Sequence, residues 1–173
     1  MGFGGLKSAV ADAGPLIHLA EIGAARLLAL CGRVLVPSAV WEETVGRTRI
    51  SEDVLMRATT IDRRVLPDDH VGRFIQDNGL GALHRGEQEC LCLCIDDGVS
   101  VMLTDDLAAR DAAQRVGVTP VGSLGVVARA YRVGHLTLPD AERHILALQH
   151  VSSLFVSEAL IELVLDELRR FSP

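Results

Sequence analysis

Short apolar runs, each followed by a stretch of helical periodicity, set the strongest limit on how this chain can fold. Residues 8–11, 34–36, 99–103 and 118–121 read as strands. Helical periodicity is expected over 15–20, 24–30, 38–45, 51–58, 71–76, 87–95, 107–116, 124–132, 139–149 and 157–170. Strands separated by helices call for crossover connections, which make the strands parallel and cover the sheet on both faces. Local chemistry supports the boundaries. Pro15 suits a first helical turn, Ser51 an N-cap and Gly117 a C-cap. Asp68 and Asp69 read as caps of the helix that Asn78-Gly79 ends, and Arg64-Val65-Leu66 reads as extended before Pro67. Pro120 marks the last strand as an edge or a strand end.

With 49% hydrophobic residues and only 3% aromatic, the core must be built from Leu, Val, Ile and Ala. The 173 residues suit a single domain, assigned to residues 7–173, with a core over about 8–134 and C-terminal helices over about 139–170. No apolar run is long enough to span a bilayer. The segment Met1-Gly2-Phe3-Gly4-Gly5-Leu6-Lys7 lacks the apolar centre of a signal peptide, so a cytoplasmic protein without a membrane partner is expected. In that compartment Cys31, Cys90, Cys92 and Cys94 are read as thiols that pack as small hydrophobes. The net charge of −6 argues against a protein that coats nucleic acid. It leaves open an enzyme whose acidic site takes up metal before it meets phosphate.

Four acids stand where surface decoration is a poor explanation. Asp12 closes the first strand, where ligands gather in open α/β sheets, although Asp also caps helices well. Glu43 shares a helical face with Val40 and Ala39, so it is expected to point inward and Glu42 outward. Glu87 lies over Cys90, Leu91 and Cys94, and a first-turn acid also gains from the helix dipole. Glu89, about 200° round the same helix, is expected to be exposed. Asp105 and Asp106 follow the 99–103 strand, one capping the next helix and the other facing the site. Arg110 either pairs with Asp106 one turn back or contacts phosphate. Carboxylates converging on one point favour a hard divalent cation with oxygen ligands.

Other constellations carry less. Asp68-Asp69-His70 has metal-type residues in a capping context. His18, His84, His135, His144 and His150 lack zinc-type spacing, and no P-loop, GxGxxG or nucleophile elbow occurs. Five arginines between Arg47 and Arg64 read as a solvated face that can also guide RNA. Leu160, Ile161, Val164, Leu165 and Leu168 form a helical stripe that packs on the domain or serves an interface.

Taken in order, these pieces resemble PIN-like domain proteins related to VapC-type toxins, in particular an uncharacterised prokaryotic branch. The resemblance rests on Asp12-Ala13-Gly14-Pro15-Leu16-Ile17-His18-Leu19 and Val36-Pro37-Ser38-Ala39-Val40-Trp41-Glu42-Glu43. It continues through Leu83-His84-Arg85-Gly86-Glu87-Gln88-Glu89, Leu103-Thr104-Asp105-Asp106-Leu107-Ala108-Ala109-Arg110 and Gly122-Ser123-Leu124-Gly125-Val126-Val127. It implies a three-layer α/β/α fold with a central parallel sheet and a C-terminal helical extension. It implies catalytic Asp12, Glu43, Glu87 and Asp105, a Mg²⁺ or Mn²⁺ ion on Asp12, Glu87, Asp105 and Asp106, and Arg110 as a substrate contact. The implied function is a metal-dependent endoribonuclease, the toxin of a toxin–antitoxin pair, with an RNA substrate, an antitoxin partner and a homodimeric or higher assembly. One departure stands out. Such proteins often carry Ser or Thr two residues after the first Asp, and here that residue is Gly14. Together with the acidic net charge, it keeps a rival reading open, a PIN-fold module that binds nucleic acid or protein without cutting.

Overall fold

The structure, a computed structural model, describes residues 7–171. Segment 1–6, which carries most of the signal-peptide reading, and the last two residues of the 7–173 assignment lie outside the described residues. Five strands, β1 (Ser8–Ala11), β2 (Arg33–Pro37), β3 (Thr60–Arg64), β4 (Val101–Leu103) and β5 (Thr119–Val121), form one sheet in the order β3-β2-β1-β4-β5. Every neighbouring pair is parallel. The central strands are the most apolar because both their faces are covered. Ala9, Val10, Ala11, Val34, Leu35, Val36 and Met102 are fully buried.

The helices are α1 (Ala13–Glu21), α2 (Ser38–Trp41), α3 (Glu52–Ala58), α4 (Asp68–Asn78), α5 (Arg85–Asp96), α6 (Leu107–Arg115), α7 (Ser123–Arg132), α8 (Leu138–His150) and α9 (Glu158–Arg170). A 3-10 helix, Ala25–Cys31, stands where a helix over 24–30 is expected. Helix α5 packs on β1, β2 and β4, with α2 and α4 against it. Helix α7 packs on α1 and the 3-10 helix, and α8 and α9 stack upon α7. The result is the expected three-layer α/β/α arrangement.

The topology fixes one special place. From β1 the chain winds outward through β2 to β3, then crosses to the other flank for β4 and β5. Between β1 and β4 the winding reverses, and the helices leaving the two strand ends diverge. That opens a crevice at their carboxyl ends. Asp12 and Asp105 follow those two ends directly. The Asp12 amide donates to the Leu103 carbonyl at 2.9 Å, which locks the two loops side by side.

Several local expectations shift. The third strand is Thr60–Arg64, earlier than the extended segment expected at 64–66, and Val65 is 85% exposed. The sequence Thr60-Ile61-Asp62-Arg63-Arg64 is too charged to advertise a strand. It suits an edge, where charge discourages pairing with other chains. Asp62 pairs with Arg33 and Arg64, and the Arg63 guanidinium lies 4.2 Å from the centre of the Trp41 ring. Asp68 and Asp69 occupy the first turn of α4 behind a Pro67 cap, and Gly79 closes that helix in the left-handed conformation at φ 64°. Gly117 adopts φ 78° just after α6.

All four cysteines are buried and free. Burial pushes the Cys31 thiol up to about 11 and the Cys94 thiol up to about 12. Helix α9 turns Ile161, Leu165 and Leu168 inward, while Leu160 and Leu163 remain partly exposed. The Tyr131 hydroxyl donates to the Phe171 carbonyl at 2.9 Å and ties the end of α9 to α7. Leu168→Ala is expected to lower the unfolding free energy by about 2–5 kcal/mol, because it opens a cavity. Leu163→Ala, on the solvent side, should cost under about 0.5 kcal/mol. Urea titration of both variants checks this, and equal effects would mean that α9 does not dock.

Candidate metal centre

The cleft at the strand ends is small, about 110 Å³, and is lined by Asp12, Ala13, Gly14, Glu43, His84, Gly86 and Glu87. That is room for an ion with its bound waters. A much larger concavity of about 1030 Å³ runs beside α7 and α9. Its walls are mainly apolar, whereas carboxylates gather in the smaller cleft.

Asp12 is 8% exposed, at the point where β1 passes into α1. One carboxylate oxygen accepts from the Thr104 hydroxyl at 3.2 Å. Burial pushes its carboxyl up to about 6, opposed by the Ala13 amide and reinforced by the charges of Glu87 and Glu43. Glu87, 7% exposed, sits in the first turn of α5, and its Oε2 accepts from the His84 amide at 2.8 Å. Burial raises its carboxyl as well, and Asp106 and Glu43 add to the rise.

Glu43 reaches the same cleft from its solvent rim. After Trp41 the helix α2 passes into a π-turn over Glu42–Gly46, with the Arg47 amide donating to the Glu42 carbonyl. The wider turn breaks the 3.6-residue spacing behind the inward reading of Glu43, and its side chain is exposed. Its carboxylate still lies beside Asp12. A β-carbon at Gly86 would stand 3.6 Å from Asp12 Oδ1 and 3.8 Å from Glu43 Oε2, and only 3.2 Å from Val40. The bare Gly86 backbone therefore leaves the space that these oxygens surround.

The two strand-end acids part company. Asp106 N-caps α6, accepting from the Ala109 amide at 2.9 Å, yet it is close enough to Glu87 to oppose its ionisation. Asp105 turns toward α1 and α7. Its Oδ2 meets His18 Nδ1 at 2.8 Å and the Ser123 hydroxyl at 2.6 Å, and its Oδ1 accepts from the Ser123 amide at 2.7 Å. A β-carbon at Gly122 would come within 2.7 Å of that Oδ1, so a glycine is needed there. Arg110 sends its guanidinium to the Thr104 carbonyl at 3.3 Å rather than to Asp106. Asp12, Glu43 and Glu87 thus share the cleft, Asp106 flanks it, and Asp105 and Arg110 brace the loop behind it.

A family model for the PIN domain (DUF3368) matches residues 8–170. The chain belongs to the PIN-domain family. No curated protein matches it. PIN domains have a nuclease-type fold and are generally metal-dependent nucleases. The acid cluster fits such an ion. Among the described residues no Lys or Arg side chain forms an ion pair with Asp12, Glu43 or Glu87, and His84 is the one basic side chain in the lining.

Three supporting residues escape the sequence reading. Glu89, expected to be exposed, is 2% exposed. It accepts from the Ala39 amide at 3.0 Å and from Arg85 Nε at 2.8 Å, so it caps α2 from the neighbouring helix. No local periodicity announces a cap supplied from 50 residues away. His18 and Ser123 were also missed as partners of Asp105. His18 carried a faint signal as a polar residue in the run Leu16-Ile17-His18-Leu19.

The raised Asp12 carboxyl makes a stability prediction. Its folded value of about 6 lies above the ordinary 3.8, so the native state keeps a proton that the unfolded chain releases. Stability therefore falls as pH rises from about 4 through 6 and then levels. The charge costs on the order of 3 kcal/mol at neutral pH without a bound cation. Asp12→Asn should accordingly be more stable than wild type at pH 7.5 in EDTA and equal to it at pH 4. Denaturant titrations at the two pH values test this, and an Asn variant that is less stable at pH 7.5 would refute the assignment of the burial cost.

Proposed function

We propose that this PIN-domain protein is an endoribonuclease that hydrolyses RNA phosphodiesters with Mg²⁺ or Mn²⁺, as the toxin of a toxin–antitoxin pair. The observation that carries the reading is the buried Asp12, its carboxyl raised by burial, sharing a small cleft with Glu87 and Glu43, with no Lys or Arg ion pair to any of the three among the described residues. Oxygen ligands alone suit a hard divalent ion, whereas a soft metal would call for sulfur. Asp12, Glu87 and Asp106 would hold the ion, with Glu43 at its open side. Such an ion would activate water and offset the charge that develops on the phosphate and the leaving oxygen.

The chain's own residues divide the remaining work. Thr104 and the Ala13 amide orient Asp12, and the His84 amide fixes Glu87. Glu43, exposed at the rim, faces the side from which solvent and substrate would reach the cleft. Asp105 acts as a brace through His18 and Ser123, and Arg110 steadies the same loop rather than reaching for substrate. Arg47 and Arg49 follow the π-turn and are exposed next to that rim, where RNA phosphates would approach. Among the described residues no helix is long and apolar enough to cross a membrane.

Asp12→Asn and Glu87→Gln should each reduce metal-dependent cleavage of a mixed structured-RNA panel by at least about 100-fold. Wild type should lose its activity in EDTA and regain it with Mn²⁺ or Mg²⁺. Folded wild type that binds RNA but leaves it intact under every metal condition would favour the non-catalytic module instead.

Gly14 gives a second test. A β-carbon there would lie 3.5 Å from Asp105 Oδ2 and from His18 Cε1, ordinary van der Waals contact. Gly14→Ser should therefore fold normally and cut at least as fast as wild type. A loss beyond about tenfold would mean that the cleft needs the bare backbone.

A further inference from the structure

A second group of metal-type side chains lies away from the acidic cleft, where α4 crosses α5. His70 comes from α4, and Cys92 and Asp96 lie one turn apart on the same face of α5. One ligand atom from each falls within 4.8 Å of the other two. His70 Nε2 is 2.8 Å from Asp96 Oδ2, and Cys92 Sγ is 3.6 Å from the same oxygen. We propose that His70, Cys92 and Asp96 form a binding site for a borderline divalent cation of the Zn²⁺ class, separate from the acidic centre.

The geometry needs little change. Tetrahedral zinc, with bonds of about 2.0 Å to oxygen and nitrogen and about 2.3 Å to sulfur, separates O from N by about 3.3 Å and O from S by about 3.5 Å. The sulfur–oxygen distance already fits. The nitrogen–oxygen pair must open by about half an ångström, within reach of side chains that are partly exposed. The donor set of imidazole, thiolate and carboxylate selects zinc over magnesium, while the carboxylate ligands proposed for the acidic cleft prefer the reverse. Three protein ligands leave a fourth position for water.

Binding exchanges a proton for the ion. The Cys92 thiol releases its proton to solvent and the sulfur takes the metal, while the His70 Nε2–H that donates to Asp96 passes its proton to solvent as Nδ1 takes one up, so that the Nε2 lone pair binds the metal in place of the hydrogen bond. Cys92 is covered in the structure, so the ion enters from the exposed side, past His70 and Asp96. Asp96 has no Arg or Lys ion pair among the described residues, unlike its neighbour Asp97, which pairs with Arg64 at 2.7 Å. An ion here would clasp α4 to α5, the helix that presents Glu87 to the cleft and Glu89 to α2.

The test uses the full chain, stripped with a chelator and titrated with Co²⁺ as a coloured substitute for zinc. Wild type should develop a near-ultraviolet thiolate-to-cobalt band that saturates at one equivalent and disappears when Zn²⁺ is added. His70→Ala, a change at a partly exposed side chain, should abolish the band while its circular dichroism stays native. Cys92→Ala should abolish it too, while Cys94→Ala and Glu87→Gln should retain it. The acidic cleft has no sulfur in its lining, so cobalt bound there gives no such band. Absence of the band in wild type, or its survival in His70→Ala or Cys92→Ala, would overturn the proposal.

Discussion

Parallel pairing of β1 with β4 is the constraint on which the rest of this molecule depends. It joins two strands distant in sequence, Val10 opposite Met102 and Ala11 opposite Leu103, and it places the two strand ends in one plane. Everything acidic in the cleft is registered to that pairing. A slip of one residue would set Val10 and Met102 against the opposite helical layers and upset the packing on both faces. It would also separate Asp12 from Thr104, whose hydroxyl holds it. The fold and the site are therefore specified together, since the pairing that joins the two strands also fixes where the carboxylates emerge.

Holding carboxylates close in a poorly hydrated cleft is costly, and the structure spreads the cost over several devices. Backbone amides take up part of the charge on Asp12 and Glu87, and the Thr104 hydroxyl takes up more of it on Asp12. Asp105 is relieved by three donors supplied by His18 and Ser123. Glu89 is relieved by Arg85 and by the start of α2. A gradient results. The outer acids are fully satisfied by protein groups, whereas Asp12 and Glu87 at the centre are not. That residual deficit favours a cation, and it makes the centre a place where function outweighs stability.

The parallel sheet was legible wherever burial wrote a clear pattern, but the order of its strands was not. Val34 to Val36 and Met102 can only be interior, and the helices between them follow from apolar spacing. Legibility failed where the deciding contact is not local. Strand β3 is charged because it is an edge, so hydrophobic alternation could not locate it, and its ion pairs with β2 were invisible from one segment. The reading of Glu43 assumed an α-helical turn where the chain makes a π-turn. Glu89 looked exposed because the sequence gives helical angle but not the neighbour waiting at that angle. For Asp105 and Asp106 the sequence offered two acids at one strand end, and only the positions of His18 and Ser123 distinguish the braced one from the one that flanks the cleft.

Helix α5 shows how these demands meet in one element. Its first turn carries Glu87 into the cleft and Glu89 to the start of α2, and its middle must pass through the centre of the molecule. Cys90, Leu91, Cys92, Leu93 and Cys94 are all nearly or fully buried, so the helix is wrapped on almost every side. Large side chains on alternate positions would push the sheet and α4 away. Cysteine is small enough to let the backbones approach while still burying an apolar surface. The close approach matters for the chemistry, because it sets Gly86 against Val40 and so fixes the gap between Asp12 and Glu43. The three cysteines of α5 are thus first a packing solution, as their reading as small hydrophobes expects. Cys92 differs from the other two because its turn of the helix faces His70 and Asp96 rather than the sheet.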